Sequence, residues 1–418
     1  MRTKYNSLKK SISNNTKVIE NYFFMTALQI INALFGILIY PYLIRILGAN
    51  SYGLYVFAFS VTTYFVSFIS FGFNLPAIKI VVQNKDNIQK KNEILSGIFT
   101  AKSLLAALSF LVFLILLFSV PFLSSHKLVF SICFSQIIAE VLFPVWYFQA
   151  IQKMRIVTLI QLGYRFLSLP FIFIFIKKPD DYWMYALIAS LSVILSSISS
   201  VIYLKRIEDI RYHFVSFSTM KSFFKDAMPF FWMNSTSTIK QESVTIIIGS
   251  FFGMRDVALF DLANKIILIP RMLTTSINGA LFPKLIDNIQ KGIVKKIILY
   301  ETLLGLGVMA GVVVFGRWII LLLGGTAMLD SYPLAIILSA TILVWLVVGC
   351  YISFIFVPNN RYYFVTWNQF VAFGTFFLFC IAGMLIFHNI MTVVIALSLS
   401  GLSEIAYCNY LIKKHNLQ

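Results

Sequence analysis

Charge is what this chain is short of. Only 12% of its residues are Asp, Glu, Lys or Arg, and acids are outnumbered 16 to 34. Soluble globular domains carry about 25%, so the scarcity excludes that class. Long hydrophilic stretches are scarce as well, the longest running from Lys205 to Lys225, and the loops expected outside are too short for an extramembrane catalytic domain. The few cysteines, Cys133, Cys350, Cys380 and Cys408, lie inside apolar runs without CxxC or Cys/His spacing. That pattern excludes a disulfide framework and a metal site, and leaves structural thiols. His126 and His388 fall near the expected outer surface with nothing to make them a metal pair. Gly305-Leu306-Gly307 lacks the strand and loop of a nucleotide motif, so no ATP site is expected. Asn234-Ser235-Thr236 has glycosylation spacing but falls inside an apolar run, where chance accounts for it. No small-residue cleavage site follows the basic N-terminus, and the run after it is long enough to span, so the expectation is an uncleaved first helix.

What the chain has in abundance is apolar mass: 59% hydrophobic residues, 42 Phe, 20 Tyr and a mean hydropathy of +0.85. The apolar runs are long and continuous rather than short and alternating, which predicts membrane-spanning helices and excludes a β-barrel. Twelve spans are expected, at 21–44, 53–82, 94–122, 127–150, 156–176, 182–204, 227–252, 256–283, 297–323, 333–357, 362–387 and 390–412. The net charge of +18 is a matter of topology rather than of nucleic-acid binding, because the cations gather in short loops on alternate sides. Twenty-three of them, from Arg2 through Lys225 and Lys284 to Lys414, fall on the side of the N-terminus. Only Arg45, Lys127, Lys177, Lys178, Arg255 and Arg317 fall on the other. Both termini are therefore expected in the cytoplasm.

The segment 205–226 divides six expected spans from six, giving an N-terminal bundle over 1–204 and a C-terminal bundle over 227–418. A shift of 205 residues sets Leu47-Gly48 on Phe252-Gly253, Leu54 on Leu259, Ala58 on Ala263 and Lys79 on Lys284. Such a repeat, with six spans in each half, predicts parallel halves and a substrate path between them. Gly249 to Gly253 and Gly307 to Gly311 are small-xxx-small spacings that read as close helix packing.

The hairpin from Tyr40 to Ser60 carries the most specific signal. Asn21, Gln29 and Asn32, then PYLIRILG at Pro41 to Gly48, YGLYVFA at Tyr52 to Ala58, and FGFNLPAIK at Phe71 to Lys79, resemble the first two helices of bacterial polysaccharide flippases. These are the O-antigen or repeat-unit translocases of the multidrug/oligosaccharidyl-lipid/polysaccharide exporter superfamily. The motif match covers the first fifth of the chain, and the twelve-span plan extends it. The resemblance implies an all-α polytopic membrane protein with two six-helix bundles around a central cavity. It implies a flippase, not an enzyme, that carries undecaprenyl-pyrophosphate-linked repeat units to the outer leaflet of the cytoplasmic (inner) membrane in O-antigen and lipopolysaccharide biosynthesis. Glycan polymerase and export machinery are the partners it implies, alongside membrane lipids. Pro41, Gly48, Gly53 and Arg45 have structural readings beside this one: a helix end, a corner, and a headgroup contact.

Ionisable residues at membrane depth face an interior or cavity and find partners. Lys102, Glu140 and Arg165 come from three successive spans and Glu404 lies at similar depth, so the first three make a candidate charge cluster, structural or functional. In the second half stand Lys240, Glu242, Asp261, Lys265 and Arg271. Asp261 and Lys265 are one turn apart and pair. Lys240 and Glu242 lie about 200° apart around a helix, so only one is expected to face a given cavity. Arg271 follows Pro270, where a broken helix is expected. A pyrophosphate needs cations in a low-dielectric cavity, so Lys240, Lys265, Arg271, Arg45 and Asn74 are the candidate substrate contacts. Glu242 or Asp261 offers a site for a coupling ion, H⁺ or Na⁺, or else a structural pair. A multidrug or cation antiporter of the same superfamily, which favours cavity acids, is the alternative. An integral-membrane glycan polymerase would need a sizeable outward loop.

Overall fold

A backbone in lipid must satisfy its own N–H and C=O groups, and this chain does so with helices. The computed structural model describes residues 2–85, 87–208, 210, 212–285 and 291–417, with no strand among them. The α-helices are α1 (Arg2–Ser70), α2 (Asn74–Gln83), α3 (Ile88–Ser119), α4 (Pro121–Ser125), α5 (Lys127–Phe134), α6 (Ile137–Leu142), α7 (Val145–Ala150) and α8 (Met154–Phe175). There follow α9 (Tyr182–Ile207), α10 (Phe217–Phe251), α11 (Met254–Leu285), α12 (Lys291–Gly324), α13 (Ser331–Tyr351), α14 (Tyr362–Ile386) and α15 (Ile390–Lys414). Arg211 lies outside the described residues, as do the side chains of the other N-terminal cations and of Lys284 and Lys291.

Nine helical runs among the described residues are long and apolar enough to cross a membrane. The first of them, Glu20–Gln83, contains two expected spans on either side of Gly48. The helices α10 and α11 fall short of that measure because they carry Lys240, Glu242, Asp261 and Lys265 in their middles. With these included, the fold is an all-α, multi-pass membrane protein of about twelve helices.

The hairpin corner is tighter than a polar turn. α1 changes direction at Gly48 alone (φ 74°, ψ 167°), an extended positive-φ conformation that is essentially confined to glycine and costs other L-residues about 1–3 kcal/mol. Gly253, 205 residues later, has φ 113° and joins α10 to α11, so the two corners recur at the expected offset. The two corners also touch: a Cβ on Gly53 would lie 3.3 Å from the amide nitrogen of Ala258, the residue that the same offset sets on Gly53. Gly249 packs under Phe57 and Val257. Gly307 and Gly311, by contrast, have no neighbour within 4 Å of a built Cβ, which corrects the packing expected there. Their helix face is open among the described residues.

Two expected spans are interrupted. The 53–82 span breaks at Phe71 and Gly72 (φ 45° and 72°), and α2 completes it. The 127–150 span is assembled from α5, α6 and α7. Pro144 accounts for the second of those interruptions, since it has no N–H to offer the Glu140 carbonyl four residues back. Lys102 replaces it, its Nζ donating to that carbonyl at 3.1 Å and to the Glu140 carboxylate at 2.6 Å. α11, in contrast, runs on through Pro270, which corrects the expected break.

The chain forms two compact units, one of residues 1–35 and 61–235, the other of 36–60 and 236–418. The segment 205–226, expected between bundles, belongs to the first unit, and the Tyr40–Ser60 hairpin packs with the second. In the first unit, Asn21 Oδ1 accepts from Met154 N at the start of α8, and Thr158 donates to Phe24 O. In the second, α13 forms the spine of a core in which Phe354, Phe356, Phe364, Cys408 and Ile412 are buried.

Candidate functional site

The second unit encloses a cavity of about 560 Å³, in the range of small-ligand sites. Its wall is built from α10, α11, α13 and α15, with Val56, Phe59 and Ser60 from the second arm of α1 and Gln369 from α14. Thr341, Trp345, Val348 and Ile352 recur at helical spacing along α13, so one stripe of that helix faces the cavity. A π-helical turn over Ile352–Phe356 adds one residue to the register and places Ser353 in the wall too. Such turns are frequent at functional sites.

Charge enters this wall with partners, two of them ion pairs. Lys240 Nζ, on α10, lies 2.8 Å from Glu404 Oε1 on α15 and ties the two helices together. Asp261 pairs with Lys265 one turn on, and also accepts from Tyr52 Oη at 2.8 Å. Lys265 donates to the same Tyr52 oxygen at 3.1 Å, and its Nζ lies 5.4 Å from the ring centroid of the fully buried Tyr40. Ser60, on the second arm of α1, lies beside the Glu242 carboxylate. Arg271 stacks on Trp345, with Cζ 3.2 Å from the ring centroid. Ion pairs of this kind suit a low-dielectric interior, where a lone charge costs several kcal/mol.

The structure thus brings Lys240, Glu242, Asp261, Arg271 and Glu404 to one wall. The expectation that only one of Lys240 and Glu242 faces the cavity is corrected. The cavity curves around α10, so Lys240 reaches α15 on one flank while Glu242 reaches Ser60 of α1 on the other. Lys265 stands one partner away from the lining, held by Asp261. Arg45 is outside it: its Nη2 donates at 3.2 Å to Leu322 O and so caps the C-terminal turn of α12. Asn74 is exposed at the start of α2 in the first unit. Lys102 and Glu140 pair in the first unit, as expected from their similar depth on successive spans. Arg165 there hydrogen-bonds Asn32 Oδ1 and lies 4.8 Å over the Phe35 ring, which fastens α8 to the first arm of α1.

Sequence reasoning missed Tyr52, Trp345, Asn264, Gln241 and Gln369. Tyr52 had a signal, being the first residue of the YGLYVFA motif at the offset of the second corner. Trp345 had almost none, because a cavity face and a lipid face of an apolar helix look alike in sequence.

Comparison with known proteins agrees with this fold. Residues 18–289 match the family model described as polysaccharide biosynthesis protein. A candidate O-antigen transporter of Escherichia coli (strain K12) is 24% identical over 289 residues, which is 69% of this chain and 70% of that one. A solved lipid II flippase, MurJ in an inward closed conformation, superposes with a TM-score of 0.74 at 14% identity, over 94% of this chain and 87% of that one. An inward-facing multidrug resistance MATE family transporter of the MOP superfamily gives 0.63 at 11% identity, over 92% and 94% of the two chains. At such identities the structural likenesses show the fold alone, whereas the family model spans more than half of the chain. It belongs to the polysaccharide biosynthesis protein family.

Proposed function

We propose that this protein is a flippase that moves undecaprenyl-pyrophosphate-linked oligosaccharide repeat units from the cytoplasmic to the outer leaflet by alternating access. The observation that carries the reading is the charged cavity: Lys240 and Arg271 stand in the wall of a site formed by membrane-spanning helices. A diphosphate has nothing to gain from lipid and much to gain from such cations, because charge-assisted contacts strengthen as the dielectric falls. Lys240 is paired with Glu404 until substrate arrives, so an entering phosphate exchanges one anion for another and leaves no cation bare. Family membership and the MurJ-like fold support the same substrate class. In this reading the protein sits in the cytoplasmic membrane with both termini inside and hands its cargo to glycan polymerase and export machinery.

One observation favours a second reading. Three carboxylates, Glu242, Asp261 and Glu404, line the cavity beside two cations. Acids in a transporter cavity suit a cation antiporter, or an H⁺ or Na⁺ that couples to flipping. Reconstitution in liposomes separates the two. The flippase reading expects a fluorescent polyprenyl-diphosphate-linked oligosaccharide to become accessible in the opposite leaflet, with Lys240→Ala and Arg271→Ala slowing it. Transport of cationic dyes with no movement of the lipid-linked probe would overturn it.

A further inference from the structure

We infer that Trp345, backed by Arg271, is a stacking platform for the sugar residue joined directly to the diphosphate, so that this cavity reads the first sugar of the glycan. The inference rests on the flippase reading above and names the part of the substrate that the cavity selects. Arg271 covers one face of the indole at 3.2 Å, yet Trp345 is still 43% exposed and its ring lines the cavity. A large aromatic left open in a cavity wall offers an apolar surface and an indole N–H at one point. A pyranose ring matches that surface, since its C–H face is apolar and its rim carries hydroxyls.

The surroundings of the indole fit a sugar rather than a lipid tail. Thr341 lies one turn before Trp345 on α13, and Gln241, Asn264 and Gln369 reach the wall from three other helices. These neutral donors and acceptors suit hydroxyl and acetamido groups, which carry no charge and need directional hydrogen bonds. The ring and the guanidinium are in contact, and in a sugar diphosphate the sugar and the phosphate are a single bridging oxygen apart. With the guanidinium on one face of the indole and the other face left for the sugar, the Arg271–Trp345 pair presents both recognition chemistries in one wall of the cavity. At about 560 Å³ the cavity is of the size that holds a small ligand, not a long polymer with its polyprenyl chain. Sugars beyond the first one or two would then lie outside it, and the protein would tolerate change there.

Binding by the purified, detergent-solubilised full chain tests this with two probes, a short-chain polyprenyl diphosphate and the same lipid bearing one N-acetylhexosamine. The wild-type protein is expected to bind the sugar-bearing probe about tenfold tighter, the size of one good ring contact. Trp345→Leu should erase that preference while leaving the affinity for the bare diphosphate within about twofold. Trp345→Phe should keep most of the preference, and Arg271→Ala should weaken both probes. As a second readout, the sugar-bearing probe should change tryptophan fluorescence in the wild type but not in Trp345→Phe, a variant that keeps an aromatic ring and so guards against a folding defect. A preference unchanged in Trp345→Leu, equal loss for both probes, or a fluorescence change that survives in Trp345→Phe would overturn the inference and leave the flippase reading standing. Failure of the wild type to bind either probe would overturn both.

Discussion

Lys265 shows why the charges in this cavity come with partners. It pairs with Asp261, donates to Tyr52 Oη at 3.1 Å and lies beside the rings of Tyr40 and Tyr52. Its removal leaves a carboxylate in the cavity wall with Tyr52 as a remaining donor, and an uncompensated charge costs about 3–5 kcal/mol. Lys265→Met should therefore lower stability by about 3 kcal/mol, read as a fall in Tm of the purified protein. Adding Asp261→Asn should return most of the loss, because the pair is then replaced rather than broken. A double variant no more stable than Lys265→Met would show that the pair is not what holds this corner. The pairing of residues 261 and 265 was readable in sequence, since two residues four apart share a helix face. That Tyr40 and Tyr52, more than two hundred positions earlier, complete the cluster was not, because spacing within one helix says nothing about the helix it meets.

At the scale of elements, two helical corners meet at Gly53, which cannot carry a larger residue. A Cβ on Gly53 would fall 1.8 Å from the Met254 carbonyl oxygen and 2.7 Å from its carbon. Both are backbone atoms, so no rotamer change relieves the clash, and the second arm of α1 has to move away from α11. Gly53→Ala is expected to destabilise by about 1–3 kcal/mol and to reduce the amount of folded protein. Gly374→Ala on α14 is the matched control, since a Cβ there meets nothing within 4 Å. It should be neutral or stabilise by up to about 1 kcal/mol, as alanine does in an open helix. If both substitutions lower Tm equally, the contact at Gly53 is not special. The corners themselves were legible, because glycines 205 apart in matching apolar surroundings mark a repeat. The interruption at Phe143 and Pro144 was missed, although Pro144 stands in plain sight. Its repair by Lys102 was not legible: the carbonyl that a proline frees is local, but the group that satisfies it comes from another helix.

For the whole molecule, chain order predicted a division at 205–226, whereas residues 36–60 pack with 236–418. Hydropathy counts spans well but is blind to which of them share a core, because apolar side chains facing lipid and facing protein are alike. It also undervalues α10 and α11, whose charges are the reason they line a cavity. Orientation is a separate matter, set by loop cations, and it can be tested cleanly because all four native cysteines are buried. Lys177 and Lys178 lie between α8 and α9, whereas Lys413 closes the chain's last helix, α15. The cation asymmetry puts the former outside and the latter inside. Both Lys178 and Lys413 are exposed, so a cysteine at either position meets solvent. In right-side-out spheroplasts a membrane-impermeant maleimide should label Lys178→Cys and spare Lys413→Cys until the membrane is opened. The reverse pattern would invert the topology, and with it the direction of loading, since the face that receives a cytoplasmically built glycan would then be the wrong one. Labelling of both positions in sealed cells would mean an even number of crossings between them, and one of the helices α9 to α15 would then not span.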